Sequence, residues 1–154
     1  MILAVVMIVL ALILVGGSIF WLLPSPAERR RMRLRERAFA QGVRVREARD
    51  EMKEWGIDPR DHGILMQYHL FIPEAKVGRW QLVNPDSIVR VQLPADVRSS
   101  VLPGIELNWT ELPEDLVVWE RRDQRYGFYW FERADEVTLD RALEVLKRVA
   151  QDAR

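Results

Sequence analysis

The sequence predicts an α+β protein with one N-terminal transmembrane helix, a basic stem helix, an antiparallel sheet or partly closed barrel, and a C-terminal packing helix. Three observations predict this fold class. Residues 2–23 carry no charge, short apolar segments bounded by turn residues recur from 64 to 132, and residues 138–153 have helical apolar spacing. We therefore predict a transmembrane anchor over 1–23, a basic juxtamembrane helix over 24–42 and a cytoplasmic α+β domain over 43–154.

The uncharged segment is long enough to cross a bilayer. A helix over residues 2–23 reaches about 33 Å, against a hydrocarbon core of about 30 Å. Arginines follow it closely, and such residues stay on the cytoplasmic side, which predicts an external N-terminus. A cleaved signal peptide is the alternative, but no basic leader or small-residue cleavage site is evident. The residues predicted to lie at the membrane surface are Trp21, Arg29, Arg30, Arg31, Arg33, Arg35 and Arg37.

Charge is unevenly distributed along the chain. Residues 24–46 hold eight Arg and two Glu, a net charge of +6, while residues 47–154 hold fifteen basic and twenty-one acidic residues, a net charge of −6. The basic stem suits an anionic leaflet, and the acidic body would be repelled by nucleic acid. We therefore expect a membrane and a protein as partners, and no nucleic acid.

Two helices and a strand are predicted before the main sheet. Ser25, Pro26 and Glu28 form a capping box with proline at the first helical position, and the helix should run to about Gln41, with Gly42 as its stop. Residues 43–46 alternate and predict a short strand, and residues 47–55 predict a short helix that ends at Gly56.

The sheet is predicted from two hairpins and a single strand. Residues 64–72 and 79–83 form the first hairpin, 87–93 the single strand, and 116–121 with 127–132 the second hairpin. Residues 95–115 are irregular, and 105–109 predict a further short strand. The strand at 127–132 is apolar on both faces, so it needs cover on both sides, one of them from the helix at 138–153. The aromatic residues predicted to form an interaction surface are Trp109, Trp119, Tyr126, Tyr129 and Trp130.

Catalytic motifs are scarce. The sequence has no cysteine, no glycine-rich phosphate loop and no Gly-x-Ser-x-Gly nucleophile elbow, so we predict no enzyme, no cofactor and no small-molecule ligand. His69 lies within a predicted strand, where packing is the ordinary role. Asp58, Asp61 and His62 share one loop, which is interpreted either as a turn or as the metal site of a hydrolase.

The first 45 residues resemble YajC, a single-span accessory subunit of the bacterial Sec translocon. The resemblance covers the apolar span, the Pro24-Ser25-Pro26 exit, the basic helix and Gly42 followed by a β segment. The family's Gly-Asp after the helix is not matched. The whole chain also resembles small single-span membrane proteins of gammaproteobacteria. These resemblances imply a bacterial inner membrane and association with the translocon.

The leading hypothesis is a non-enzymatic inner-membrane protein whose cytoplasmic domain binds or supports another protein complex. A second hypothesis is a lipid-headgroup-sensing module, because a strand-rich domain closed by a C-terminal helix resembles a pleckstrin-homology-type domain. The basic residues available for such a site at the ends of strands are Arg79, Arg121, Arg122 and Arg125. The hydrolase with the 58–62 loop is the third.

Overall fold

The computed structural model describes residues 1–75, 78–93 and 107–151, without the side chains of 18–22. It divides into two compact units, Met1–Arg31 and Met32–Arg154. The helices are α1 (Ile2–Leu22), α2 (Pro26–Ala40), α3 (Arg49–Glu54), α4 (Pro59–His62) and α5 (Glu136–Gln151), with a 3₁₀ turn at Trp109–Glu111. The strands are β1 (Arg44–Glu47), β2 (Met66–Phe71), β3 (Arg79–Val83), β4 (Leu116–Arg122) and β5 (Arg125–Trp130).

The first unit contains α1, whose large apolar side chains between Ile2 and Val15 are exposed. Where side chains are described, no helix has both the length and the apolar character needed to cross a membrane. The transmembrane helix in the predicted fold class is corrected accordingly.

Helix α2 begins at the predicted capping box. The Ser25 backbone N–H donates to the Glu28 carboxylate at 2.7 Å, and the Glu28 N–H donates to the Ser25 hydroxyl at 3.2 Å. The helix ends just before Gly42, which takes the left-handed conformation (φ 79°) that favours glycine. Its last turns belong to the second unit, where Leu34 and Ala38 are fully buried in the core.

The second unit is built on one antiparallel sheet with the strand order β1-β2-β5-β4-β3. Among the described strands, β1 and β3 are the two edges and do not pair with each other. The sheet is therefore open, which excludes the partly closed barrel that the sequence allowed. The second predicted hairpin is confirmed: β4 and β5 are joined by a tight turn at Asp123 and Gln124, with Asp123 at a positive φ of 58°.

The first predicted hairpin is wrong, because β2 and β3 are not neighbours. β2 pairs with β1 and β5, and β3 pairs with β4. The apolar strands β4 and β5 can be covered on both faces only at the centre of the sheet. They therefore lie between β2 and β3. The predicted strand at 87–93 is also wrong: Val89 packs on the core without joining the sheet, with Val91 and Leu93 against it. The predicted strand at 105–109 lies largely outside the described residues, and Trp109 begins a 3₁₀ turn.

Both faces of the sheet are covered, as the apolar pattern of the strand at 127–132 required, although only the helix at 138–153 was predicted as a cover. One face packs against α5 and the end of α2, around Tyr68, Phe128 and Trp119. We call this the α5 face. The opposite face packs against α3, Trp55 and Val89, and we call it the α3 face. The helix α5 buries all six residues of its predicted apolar stripe: Leu139, Ala142, Leu143, Leu146, Val149 and Ala150.

Candidate anion-binding site

The topology gathers arginines at one end of the sheet. Since all neighbouring strands are antiparallel, the starts of β1, β3 and β5 lie at the same end as the finish of β4. Each of these four positions is an arginine, and each is exposed. We call this group, Arg44, Arg79, Arg122 and Arg125, the arginine end.

Strand register puts the four arginines on the α3 face. Arg79 lies opposite Arg122, which lies opposite Arg125, and residues directly opposite one another in a sheet share a face. Tyr129, four residues after Arg125 on the same strand, lies on this face too, and its ring packs edge-on against Trp55 at 4.9 Å. Arg44 lies in the next row of the same face, opposite a histidine of β2.

These four side chains have no carboxylate partner in the part of the chain that the structure describes. None of them appears in an ion pair there, whereas the stem arginines Arg33, Arg35 and Arg37 all do. Like charges directly opposite each other on a sheet destabilise it, by up to about 1 kcal/mol for each pair. The positive charge of the arginine end is therefore not compensated by any described carboxylate.

A buried polar network lies beside the arginine end on the α3 face. Glu120, 3% exposed, accepts hydrogen bonds from Gln81 at 2.7 Å, from Gln67 at 3.3 Å and from the Tyr129 hydroxyl. Gln67 also donates to the Tyr129 hydroxyl at 2.7 Å. Burial, together with Glu120 and a second carboxylate nearby, raises the pKa of Tyr129, so the phenol stays protonated and donates. The network ties four strands of the sheet together and supports the surface beside it.

The arginines shift the pKa values of two titratable side chains near this network. Burial, followed by Arg125, Arg46 and Arg44, lowers the pKa of His69 to about 4, so its imidazole is neutral at pH 7. Burial would raise the pKa of Glu51, but hydrogen bonds from Arg46 outweigh it, and Arg122 contributes further, so the net shift is downward.

The site lies on tightly packed backbone. A Cβ built on Gly127 would lie 2.5 Å from the Tyr68 carbonyl oxygen and 2.9 Å from the Cβ of His69. No L side chain fits at that spacing, so Gly127 allows β2 and β5 to approach each other at the middle of the sheet.

One of the four arginines predicted for a lipid site lies elsewhere. Arg121 is on the α5 face, with its guanidinium 5.2 Å from the centre of the Tyr126 ring. The other three, Arg79, Arg122 and Arg125, are brought together as that hypothesis required. Sequence reasoning missed Arg44, which is distant in the chain and joins the group only through the β1–β2 pairing.

The stem arginines in the second unit contact protein. Arg37 pairs with Asp140 at 2.6 Å and Arg33 with Glu136 at 2.9 Å, both on α5. Arg35 binds Glu132 through two hydrogen bonds of 2.8 and 2.6 Å. In the first unit, Arg29 donates to the Pro24 carbonyl at 3.1 Å, Arg31 is exposed and Arg30 is half-buried. The side chain of Trp21, the remaining predicted membrane-surface residue, lies outside the described ones.

The aromatic residues predicted as an interaction surface are in the core. Trp119, Tyr126, Tyr129 and Trp130 are each at most 2% exposed, and Trp109 is half-buried. They fill the two faces of the central strands, which α5 and α3 cover, so these four side chains are not available to a partner. This corrects the choice of surface.

The loop with Asp58, Asp61 and His62 forms a capped helical turn. Asp58 accepts a hydrogen bond from the Arg60 backbone N–H at 2.8 Å as the N-cap of α4. In the described ranges, no group of three histidine or carboxylate side chains is placed to share a metal ion. The cleft beside the loop, about 570 Å³, is lined by three cationic side chains, Arg49, Lys53 and Arg60, and by one carboxylate, that of Asp58, so its net positive charge would repel a cation.

Comparison of the chain with protein-family models, with curated proteins and with solved structures finds no match.

Proposed function

We propose that this chain is a non-enzymatic, membrane-associated protein whose second unit binds an acidic segment of a partner protein at the arginine end. One observation carries the proposal: four exposed arginines share one face at one end of the sheet, and none forms an ion pair with a described residue. A surface patch of one sign attracts and orients a partner of the opposite sign.

Carboxylates are the natural complement of this patch. The guanidinium group is planar and can bind a carboxylate through two parallel hydrogen bonds. A bound carboxylate would also offset the repulsion between Arg79, Arg122 and Arg125, which lie directly opposite one another. Folding stability and partner binding are therefore linked, since a ligand that binds only the folded state raises its stability.

Membrane association is supported by α1 and the residues after it. The helix exposes a continuous apolar surface, and an exposed apolar surface of that kind is typical of contact with lipid or protein. The arginines that follow favour an inner leaflet, with residues 24–154 in the cytoplasm of a bacterial cell. Flotation of cell membranes on a density gradient tests the association, and protease digestion of spheroplasts tests the side. Absence of the protein from the floated membranes, or cleavage of the second unit from outside, would contradict this part.

The arginine end is tested by neutralising it. The variant carries Arg79→Gln, Arg122→Gln and Arg125→Gln, and its matched control carries Arg60→Gln, Arg141→Gln and Arg148→Gln, also three exposed arginines of the second unit. Each protein is purified from its native host in gentle detergent, and the proteins bound to it are quantified by mass spectrometry. A partner held by the wild type and the control but lost from the variant supports the proposal. A solitary monomer in all three preparations, or the same partner retained by all three, contradicts it.

The lipid-headgroup hypothesis is favoured by the convergence of Arg79, Arg122 and Arg125. The charge of the rest of the second unit argues against it. Outside the arginine end, residues 32–154 hold sixteen basic and twenty-two acidic residues, and this net charge of −6 repels an anionic bilayer. Soluble dihexanoyl phosphatidylglycerol tests this hypothesis: a rise in Tm for the wild type and the control, lost in the Arg→Gln variant, would favour lipid over a protein partner.

A further inference from the structure

The outermost row of the α3 face has a defined chemical order. From β3 to β2, directly opposing residues are Arg79, Arg122, Arg125 and Phe71. All four are exposed, and Phe71 retains 53% of its surface. Neighbouring strands lie about 4.8 Å apart, so the row is about 14 Å long. It therefore presents three positive charges at regular spacing, followed by one apolar ring.

The spacing of the row matches an α-helix lying across the strands. Successive turns of a helix are about 5.4 Å apart, close to the strand separation of about 4.8 Å, so each turn places one side chain over one strand. An extended segment would repeat every second residue, at about 6.6 Å, and would lose this match by the third strand. Four contacts in register need residues i, i+4, i+7 and i+11 of one helix face.

The charge of the surroundings selects a short ligand. Outside the arginine end, the second unit holds sixteen basic and twenty-two acidic residues, a net charge of −6, which repels a long polyanion or an anionic bilayer. A single helical segment places its acidic side chains over the arginines without covering the rest of that acidic surface. The exposed ring of Phe71 favours a segment with an apolar side chain at one end, and a uniformly anionic ligand has no such side chain.

We propose that this row binds an acidic amphipathic helix of the partner, with one carboxylate over each of Arg79, Arg122 and Arg125 and one apolar side chain over Phe71. The inference rests on the proposed function and gives the shape and polarity of the partner segment. The helix lies across the strands, and its apolar end is over β2.

The test uses the full chain in non-ionic detergent and fluorescent, helix-stapled 16-residue peptides. The matching peptide has Glu at i, i+4 and i+7 and Leu at i+11. A scrambled peptide of the same composition distributes these four residues around the helix, and a third peptide replaces the Leu by Gln. We expect the matching peptide to bind at least about tenfold more tightly than the scrambled one, since three charge pairs are aligned in only one of them.

Two protein variants measure separately what the arginine charges and the Phe71 ring contribute to binding. The Arg79→Gln, Arg122→Gln, Arg125→Gln protein should lose about tenfold in affinity for the matching peptide, while the Arg60, Arg141, Arg148 control should not. Phe71→Ser should weaken the Leu peptide about fivefold and leave the Gln peptide unchanged, because only the Leu peptide loses an apolar contact. Thermal unfolding of each variant confirms that it is folded.

The outcomes separate this inference from the proposed function. Equal binding of the matching and scrambled peptides, or no effect of Phe71→Ser on the Leu peptide, overturns the helical register. If the cellular partner is nevertheless lost from the Arg→Gln variant, only this inference fails. If the partner is retained by that variant, the proposed function fails instead, whatever the peptides do.

Discussion

Removal of the Arg35 side chain should destabilise the second unit far more than removal of its neighbour Arg33. Arg35 binds Glu132 through two hydrogen bonds, and the Tyr68 hydroxyl donates to the same carboxylate at 2.8 Å. Glu132 is 1% exposed, so Arg35→Ala leaves a buried carboxylate with its guanidinium partner gone. Arg33 pairs with Glu136, but neither side chain of this pair is buried, since they are 58% and 38% exposed.

The magnitude follows from burial. Breaking a buried ion pair from one side costs about 3–5 kcal/mol, because the remaining charge stays desolvated. Arg35 is itself 38% exposed, so water can reach the vacated space, and we expect a value near the lower limit, about 3 kcal/mol. An exposed pair contributes less than about 1 kcal/mol, which is the expectation for Arg33→Ala.

The assay is urea unfolding of the full chain in non-ionic detergent, followed by the fluorescence of the buried tryptophans Trp119 and Trp130. A double-mutant cycle adds Glu132→Gln, which removes the charge and keeps the size of the side chain. Arg35→Ala should cost much less in the Glu132→Gln background than in the wild type, since the buried side chain then has no charge to lose the guanidinium contact. Equal losses for Arg35→Ala and Arg33→Ala, or an additive cycle, would refute the reasoning.

Three further predictions concern the sheet. Gly127→Ala should lower the free energy of unfolding by about 2 kcal/mol or more, because the new methyl group would lie 2.5 Å from the Tyr68 carbonyl oxygen and the backbone would have to move. Gly17→Ala, where a Cβ would have nothing within 4 Å, is the matched control in the same urea assay. Tyr129→Phe should cost about 1–3 kcal/mol, because Glu120 and Gln67 lose a partner. Tyr126→Phe should be nearly neutral, because that buried hydroxyl has no hydrogen-bond partner among the described residues; equal costs would contradict the network. The pKa of His69 is about 4 in the folded protein against an ordinary 6.5, so the unfolded state binds the extra proton first, and stability present above pH 6.5 should fall as the pH drops towards 4, by up to about 3 kcal/mol. Urea unfolding at several pH values should show this slope in the wild type and in His62→Gln but not in His69→Gln; an unchanged slope in the last variant would exclude His69 as its cause.

The local elements were largely predictable from the sequence because their signals are local. The capping box at Ser25 and Glu28, the stop at Gly42 and the apolar stripe of α5 each depend on residues within a few turns of one helix. The turn between β4 and β5 is similarly local. For these features, the structure confirms the element, its position within a few residues and the face that it buries.

The strand order was not predictable, since pairing depends on energies between distant residues. The sequence suggested that β2 and β3 pair because they are close in the chain, but the apolar strands β4 and β5 need cover on both faces and take the centre of the sheet. The burial of the aromatic residues was not predictable for the same reason. The sequence shows how many there are, but only the tertiary structure shows that helices cover them on both faces of the sheet.

The sequence by itself determined the apolar N-terminal helix, the division of charge between a basic stem and an acidic body, and the amphipathic closing helix, because each is a property of a contiguous segment. Only the tertiary structure decided that Arg44, Arg79, Arg122 and Arg125 meet at one end of the sheet, since they come from four strands spread over 82 residues of chain. It also decided that Arg33, Arg35 and Arg37 pair with carboxylates of the second unit. An arginine looks the same in sequence whether its charge is compensated or not, and the difference lies in which carboxylates the fold brings near it.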